Sequence, residues 1–305
     1  MNKAARAIAA ESDAGAPSVS VVMVVYRTGE ELQDSIDSVL ADRTVGELVI
    51  VDNGSAPAMA ERLRALGRGE PRVILVQGHG NVGFATGANM GAKAASGDTL
   101  VFLNPDAFLQ AGCVQALVAG LDGLPVPSLV GACILDPDGA EQRGGRRGEV
   151  SALSTLLSLS RATRRFPRLS GFEIHREREA MPDGLVAMPT ISGACFAARR
   201  ADFETLGGFD QGYFLHVEDI DLCWRVRREG GTVLFHPQAR VIHLGHTSQT
   251  HPLRVELHKG FGLVRFFLKR AETAPAYGLA LAMAPLILVT AAARPLLWRL
   301  RGHRA

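Results

Sequence analysis

Along the chain, apolar runs that read as strands alternate with stretches carrying apolar residues at helical spacing. Val19 to Tyr26 is a β-branched run with little polarity, the pattern of a strand buried on both faces of a parallel sheet. From Glu30 to Leu40, Leu32, Ile36, Val39 and Leu40 share one helical face, and Glu47 to Val51 makes a second strand ending at Asp52. The alternation continues with a helix near Ala58 to Leu66, a strand at Arg72 to Gln77, a helix at Gly87 to Ala95 and a strand at Thr99 to Leu103. Such alternation predicts an α/β fold with a mostly parallel central sheet flanked by helices, whose ligands bind beyond the strand C-termini. Those ends carry Tyr26 with Arg27, Asp52 with Asn53, a glycine-rich stretch from Gly78, and Asn104-Pro105-Asp106.

The pattern then breaks. Nine arginines lie between Arg143 and Arg178, mixed with serines and leucines and without a strand pattern, so an arginine-rich flap over about 143–182 is expected. It could face an acceptor diphosphate or an anionic bilayer, because guanidinium matches phosphate oxygens in bidentate fashion; a solvated loop is the plainer reading. Order returns with MPTISGACFAARR as a strand region, a helix or turn from Phe203 to Gly207, and a helix from Asp219 to Glu229. The expected division is a flexible tail at 1–17, a catalytic domain at 18–250 and a helical C-terminal extension at 251–305. Thr273 to Ala293 holds no charge and is flanked by Lys269, Arg270 and Arg294. Its length is borderline for a spanning helix, and Pro275 and Pro285 count against one, so a helix lying in a membrane interface is expected, with a buried helix or dimer contact as the other reading.

Composition narrows the classes. With 47% hydrophobic residues among 305 the chain can bury a sizeable core, and 33 basic against 31 acidic residues give no charge excess suited to coating nucleic acid. Cys113, Cys133, Cys195 and Cys223 form no C-x-x-C pair, which excludes a zinc ribbon and a redox motif and predicts reduced, buried thiols. Glu11 and Asp13 interrupt the N-terminal stretch before signal-peptide length, so a cytoplasmic location is expected.

Five groups of residues carry chemistry. Asp52-Asn53-Gly54-Ser55 follows a strand, where an aspartate can accept from the imide N–H of a uracil or thymine; the same residues suit an ordinary turn. Gly78-His79-Gly80-Asn81-Val82-Gly83 matches the dinucleotide fingerprint and supports a rival NAD-dependent oxidoreductase, although a whole βαβ unit precedes it. Its other use is a loop whose amides, with Asn81 and Asn89, face a nucleotide diphosphate. Asn104-Pro105-Asp106 offers a carboxylate for Mg²⁺ or Mn²⁺. Glu218, Asp219 and Asp221 crowd one probable helix start, where one can serve as a general base and Asp221 can pair with Arg225. Among the histidines, His243 and His246 are close, yet no further ligand pattern completes a zinc site, which leaves His243 as a single ligand beside Asp106.

In order and spacing, VVMVVYRTGEELQDSIDSVL, VIVDNGS, GNVGFATGANMG, VFLNPDA, ISGACFAARRADFETLGGFD and FLHVEDIDLCWRVRREG resemble the family 2 glycosyltransferases, in particular the bacterial rhamnosyltransferases, from about Val19 to Ser248. The resemblance implies a GT-A fold, a nucleotide diphosphate sugar donor, a divalent cation and inversion at the anomeric carbon. It also implies that Tyr26 and Asp52 hold the pyrimidine base and that Asn81 lies in the loop over the nucleotide, with Asn53, Gly83, Asn89 and Asn104 also expected among the donor-binding residues. Asn104 and Asp106 stand where the family has its metal-binding D-x-D motif, with asparagine in place of the first aspartate. Asp219, next to Glu218, matches the catalytic base, and His243 matches a histidine that contacts the metal in some relatives. The partners so implied are a dTDP- or UDP-sugar and a saccharide or polyprenyl-linked acceptor, reached from the inner face of a membrane. A catalytically silent nucleotide-sugar-binding protein is the non-enzyme alternative.

Overall fold

A computed structural model describes residues 18–300 except 160, 161, 246, 248 and 249. The expected tail at 1–17, the residues after 300, Arg161, His246 and Ser248 therefore lie outside the described residues. The strands are β1 (Val19–Val25), β2 (Val45–Asp52), β3 (Val73–Val76), β4 (Thr99–Leu103), β5 (Ala107–Leu109), β6 (Ser128–Leu135), β7 (Arg146–Arg147), β8 (Val186–Ala187), β9 (Thr190–Ile191), β10 (Cys195–Arg199) and β11 (Thr232–His243). The helices are α1 (Glu31–Ala41), α2 (Pro57–Gly69), α3 (Phe84–Ala94), α4 (Cys113–Ala119), α5 (Ala152–Leu159), α6 (Ala162–Arg165), α7 (Arg200–Thr205), α8 (Glu218–Arg228), α9 (Pro252–Arg270) and α10 (Ala274–Leu300).

The main sheet runs β3-β2-β1-β4-β10-β6-β11-β5, with β8 beside β11. Its first four strands are parallel, as the alternating pattern predicts. They read as unbroken apolar runs because both faces are covered. Val21, Met23, Leu48 and Ile50 pack against Leu32, Ile36 and Val39 of α1, while Val22, Val24, Val49 and Val51 face Ala85 and Ala88 of α3. The second half departs from simple alternation. β10 is antiparallel to both β4 and β6, and β5 is a three-residue antiparallel partner of β11. All four cysteines are free and buried.

The arginine-rich stretch is built into the fold at its start. β7 pairs with β9, and Arg146 enters the interior because Glu141 meets it with two hydrogen bonds of 2.7 and 2.6 Å. The C-terminal extension is likewise docked: Phe266 and Phe267 of α9 and Ala280, Met283 and Ile287 of α10 share a third apolar cluster with Val150, Tyr213, Val217 and Ile220. Pro285 does not end α10, which continues to Leu300. Ala280, Met283, Ile287 and Ala291, spaced by three or four, form its buried stripe, and Tyr277, Leu279, Leu281, Leu286 and Val289 are exposed.

Candidate active site

The carboxyl ends of β1, β2 and β4 open on one side of the sheet, and the residues singled out from the sequence gather there. At the end of β2, Asp52 accepts from the backbone N–H groups of Gly54 and Ser55 at 3.1 and 2.8 Å and from Gln77 Nε2 at 2.8 Å. Burial pushes this carboxyl upward, but the bonds from Ser55, Gly54 and Gln77 outweigh it and hold Asp52 below the usual carboxylate range. Asp52, Gly54, Gln77, Gly78 and Gly80 line a pocket open to solvent. The Tyr26 ring borders Gly54, with the Arg27 guanidinium 5.4 Å from its centroid.

The glycine loop is held from beneath by asparagines. Asn53 donates to the Gly83 carbonyl at 2.9 Å and meets His79 Nε2 at 2.9 Å, so both ends of its amide are engaged inside the protein. Asn81 accepts from Gly83 N–H at 3.0 Å. Asn89 on α3 exchanges two hydrogen bonds with the backbone of Phe209, at 2.8 and 2.9 Å, and so ties this loop to the segment leading into α8. Gly83 has φ of 83°, and a Cβ there would come within 2.6 Å of the Phe214 carbonyl oxygen, so the position requires glycine.

After β4, Asn104 and Asp106 are brought to His243 by antiparallel pairing of Ala107 with His243. His243 Nε2 lies 3.2 Å from Asp106 Oδ1 and 3.2 Å from Asn104 Nδ2, and Thr247 donates to Asp106 Oδ2 at 2.9 Å. Burial raises the Asp106 carboxyl, but its hydrogen bonds to His243 and Thr247 bring it below the ordinary range. Gln142, which sequence reading did not single out, sets the orientation of the ring. Its Nε2 donates to Asp136 Oδ1 and to the His243 carbonyl, at 2.7 and 3.0 Å, which leaves Oε1 to accept from His243 Nδ1 at 2.7 Å. A cation that displaced the Nε2 proton bonded to Asp106 would leave Nδ1–H on Gln142 and free both Nε2 and the carboxylate oxygen to coordinate it. Among the described residues no group of three acidic, histidine or cysteine side chains could hold a metal. The Asp106 oxygen and the His243 nitrogen would suit a divalent ion that takes its other ligands from outside the protein.

The carboxylate pair sits at the start of α8. His216 and Val217 precede it with φ of 67° and 76°, a left-handed conformation that costs a β-branched residue about 1–3 kcal/mol and aims the first turn into the cleft. Asp219 accepts from Ile220 N–H at 2.8 Å and Gly193 N–H at 3.1 Å and is ion-paired with Arg147 of β7. Burial works to raise its carboxyl, yet the charge and hydrogen bond of Arg147 with the two backbone donors hold it below the usual range. Glu218 is 7% exposed and its Oε2 has no hydrogen-bond partner. Burial, with the Asp219 charge adding to it, pushes Glu218 up to about 8. Burial thus favours the protonated form of Glu218, while Arg147 and the backbone donors favour the ionised form of Asp219. Asp221 is taken up by Arg225, Lys269 and the Tyr213 hydroxyl, at 2.7, 2.7 and 3.2 Å, as its spacing from Arg225 suggests.

The neutral Glu218 has a consequence for stability. Its folded pKa lies above the unfolded value of 4.5, so its contribution is full below that pH and is lost as pH rises toward about 8. Glu218→Gln keeps the neutral shape and escapes that loss. Its melting temperature relative to the native chain is expected to rise by roughly 3 °C or more between pH 5 and pH 8 by scanning calorimetry. A difference that stays constant across this range contradicts the assignment.

Comparison with known proteins identifies the fold and the family. The N-acetylglucosaminyl-diphospho-decaprenol L-rhamnosyltransferase of Mycobacterium tuberculosis (strain H37Rv) is 29% identical over 241 residues, covering 73% of this chain and 75% of that protein. Among solved structures, GalNAc-T7 with UDP, GalNAc and Mn²⁺ superposes with a TM-score of 0.58 at 20% identity, covering 88% of this chain and 55% of that one. The mannosyltransferase PcManGT from Pyrobaculum calidifontis, in complex with GDP-Man and Mn²⁺, gives 0.57 at 18% identity, over 94% and 76% of the two chains. The fold is the GT-A fold, and nothing among these relatives supports the oxidoreductase reading of Gly78 to Gly83. The model of glycosyl transferase family 2 matches residues 20–207, and the chain belongs to that family of glycosyltransferases.

Proposed function

We propose that this glycosyltransferase moves L-rhamnose from dTDP-L-rhamnose, with inversion, to a saccharide carried on a polyprenyl diphosphate during cell-surface polysaccharide assembly. The observation that carries this reading is the convergence at one sheet edge of three parts. They are the pocket at Asp52, the Asp106–His243 pair and the Asp219 carboxylate held by Arg147 and two backbone N–H groups. The sugar and the lipid-linked acceptor follow the mycobacterial relative, whose name specifies both.

In this mechanism Asp52 and Tyr26 hold the pyrimidine, and Asn81 with the Gly83 loop covers the nucleotide. A divalent cation, Mg²⁺ or Mn²⁺, held by Asp106 and His243 would neutralise the departing diphosphate. Asp219 takes the proton from the acceptor hydroxyl as that oxygen attacks the sugar C1 from the face opposite the leaving group. Glu218 stays protonated beside it, so the neighbouring carboxyl adds no second charge. Asn53 and Asn89 act beneath the site, fixing the loop and the approach to α8.

Calorimetric titration with dTDP and with UDP, each in Mn²⁺ and then in EDTA, tests this. Binding that needs the metal and favours dTDP is expected; preference for UDP removes the rhamnose donor, and no binding to either removes the donor site.

Membrane contact at the cytoplasmic face is part of the same reading. The span Ala274–Pro295 is apolar enough to enter a bilayer and only 22% of it is buried. Its exposed side carries Leu281 and Val289. Combined Leu281→Asp and Val289→Asp substitutions, placed away from the buried stripe, are expected to abolish flotation with liposomes, and unchanged flotation rejects the contact.

A further inference from the structure

Of the nine arginines in the flap region, most have no bearing on the cleft. Arg146 is spent on Glu141 and Arg176 on Glu179, while Arg165, Arg168 and Arg178 are exposed away from any described acidic partner. Arg147 is different, since it reaches the carboxylate proposed as the base. It also donates to the Ile191 carbonyl at 2.9 Å, and its Nε is buried without a partner.

Two further cations share this space. Arg143 lies four residues before Arg147, directly after the Gln142 that orients His243. Lys259 stands on α9 between His258, which stacks on Phe214 at 4.6 Å, and the Gly260–Gly262 segment, where Gly262 packs against Val217 just before Glu218. Neither Arg143 nor Lys259 forms an ion pair or side-chain hydrogen bond among the described residues, and Glu256, the acid that acts on Lys259, is held by Arg294 at 3.1 Å. Their joint field is visible at His175, which bridges to Arg147. Burial first, then Arg143 and Arg147, push its imidazole down to about 4, so it adds no charge.

Burial first, and then the charges of Arg294, Arg147 and Arg143, hold Lys259 below the ordinary lysine range, so these basic groups lie within reach of one another, and Asp219, on Arg147, is the acid paired with them. A half-enclosed surplus of positive charge is costly unless an anion completes it. The donor diphosphate is assigned to Asp106 and His243. An anion touching Arg147, by contrast, arrives with whatever molecule brings its hydroxyl to Asp219, because Arg147 touches that carboxylate itself. On the far side of Lys259, Gly260 packs against Ala291 of α10, the helix with the exposed apolar side. Contacts thus run from the proposed base through Arg147 and Lys259 to the helix with the exposed apolar side, the sequence of sugar, phosphate and lipid in such an acceptor.

We propose that Arg143, Arg147 and Lys259 form the binding site for the phosphate groups of the acceptor, beside the base. This rests on the glycosyltransferase reading with Asp219 as base, and it assigns these residues to the acceptor side of the reaction.

The test uses inorganic pyrophosphate as the probe, titrated into the full chain in EDTA so that no cation bridges it to Asp106. The native chain is expected to bind it, with Arg143→Gln and Lys259→Gln each weakening binding at least about tenfold and Asp106→Ala leaving it in place. Arg143 is exposed and makes no contact that folding needs, so its variant keeps the test valid if Lys259→Gln unfolds. Native-like affinity in Arg143→Gln and Lys259→Gln overturns the proposal, as does loss of metal-free binding in Asp106→Ala, which places the anion at the donor site. A second arm measures binding to vesicles of phosphatidylglycerol and of phosphatidylcholine. Equal vesicle binding by native and variant chains supports an acceptor phosphate, and a loss confined to anionic vesicles overturns it in favour of lipid headgroups. Nucleotide titration in Mn²⁺ on the native chain separates the two readings: its failure rejects the donor site, whereas its success beside insensitive pyrophosphate binding rejects only the acceptor site.

Discussion

Asp219→Asn is expected to lower sugar transfer by roughly 10²–10⁴-fold, the usual contribution of a positioned base, while the donor dissociation constant changes by less than about twofold. The asparagine keeps the side-chain shape and one oxygen, enough for the Gly193 N–H at the Oδ2 position but not also for the Ile220 N–H, which bonds Oδ1, so unchanged donor binding is the check that the site stays intact while the proton acceptor is lost. Steady-state kinetics with a saturating acceptor, beside donor titration, reads the split between turnover and binding. Near-native turnover removes Asp219 from the chemistry. In that event attention moves to Glu218, whose raised pKa makes it a base only above about 8.

Asp106→Ala is expected to weaken nucleotide binding in Mn²⁺ by more than about 100-fold and to leave the residual binding in EDTA unchanged. Two protein donors carry the proposed ion, and removing one exceeds the loss of about 10–100-fold usual for a supporting partner. Gln142→Ala supplies that smaller loss for comparison, because it frees the His243 ring without removing a ligand. Calorimetry in both conditions checks the pair. If Asp106→Ala and Gln142→Ala bind nucleotide in Mn²⁺ as the native chain does, the diphosphate is held without a cation at this place.

Much of the donor half of the site was legible in the chain. Asp52, Asn104 and Asp106 each follow an apolar run, and a strand buried on both faces must end where its polar residues begin. Crowded carboxylates at Glu218 and Asp219 likewise announced a helix start. The roles of Asn53 and Asn89 were less clear, since a glycine-flanked asparagine looks the same whether it faces a ligand or, as here, spends its amide on Gly83, His79 and Phe209.

Long-range partners were the part without a local signal. Gln142 meets His243 across 101 positions, and Arg147 meets Asp219 across 72. No spacing rule covers such pairs. The arginine-rich stretch reads as a loop because β7 has only two residues, too few for a period-two pattern to show.

By itself, then, the sequence determined the order of the strands and helices up to β4, the sheet edge proposed to hold the nucleotide, and the acidic pair at the head of α8. These are consequences of burial periodicity and chain direction, which are local. Tertiary structure alone decided that burial favours the proton on Glu218, that Arg147 reaches Asp219 and that Arg143 and Lys259 have no acidic partner among the described residues. Those properties depend on desolvation and on charges within a few ångströms, and both are set by elements that meet only when β7, α8 and α9 close around the same cleft.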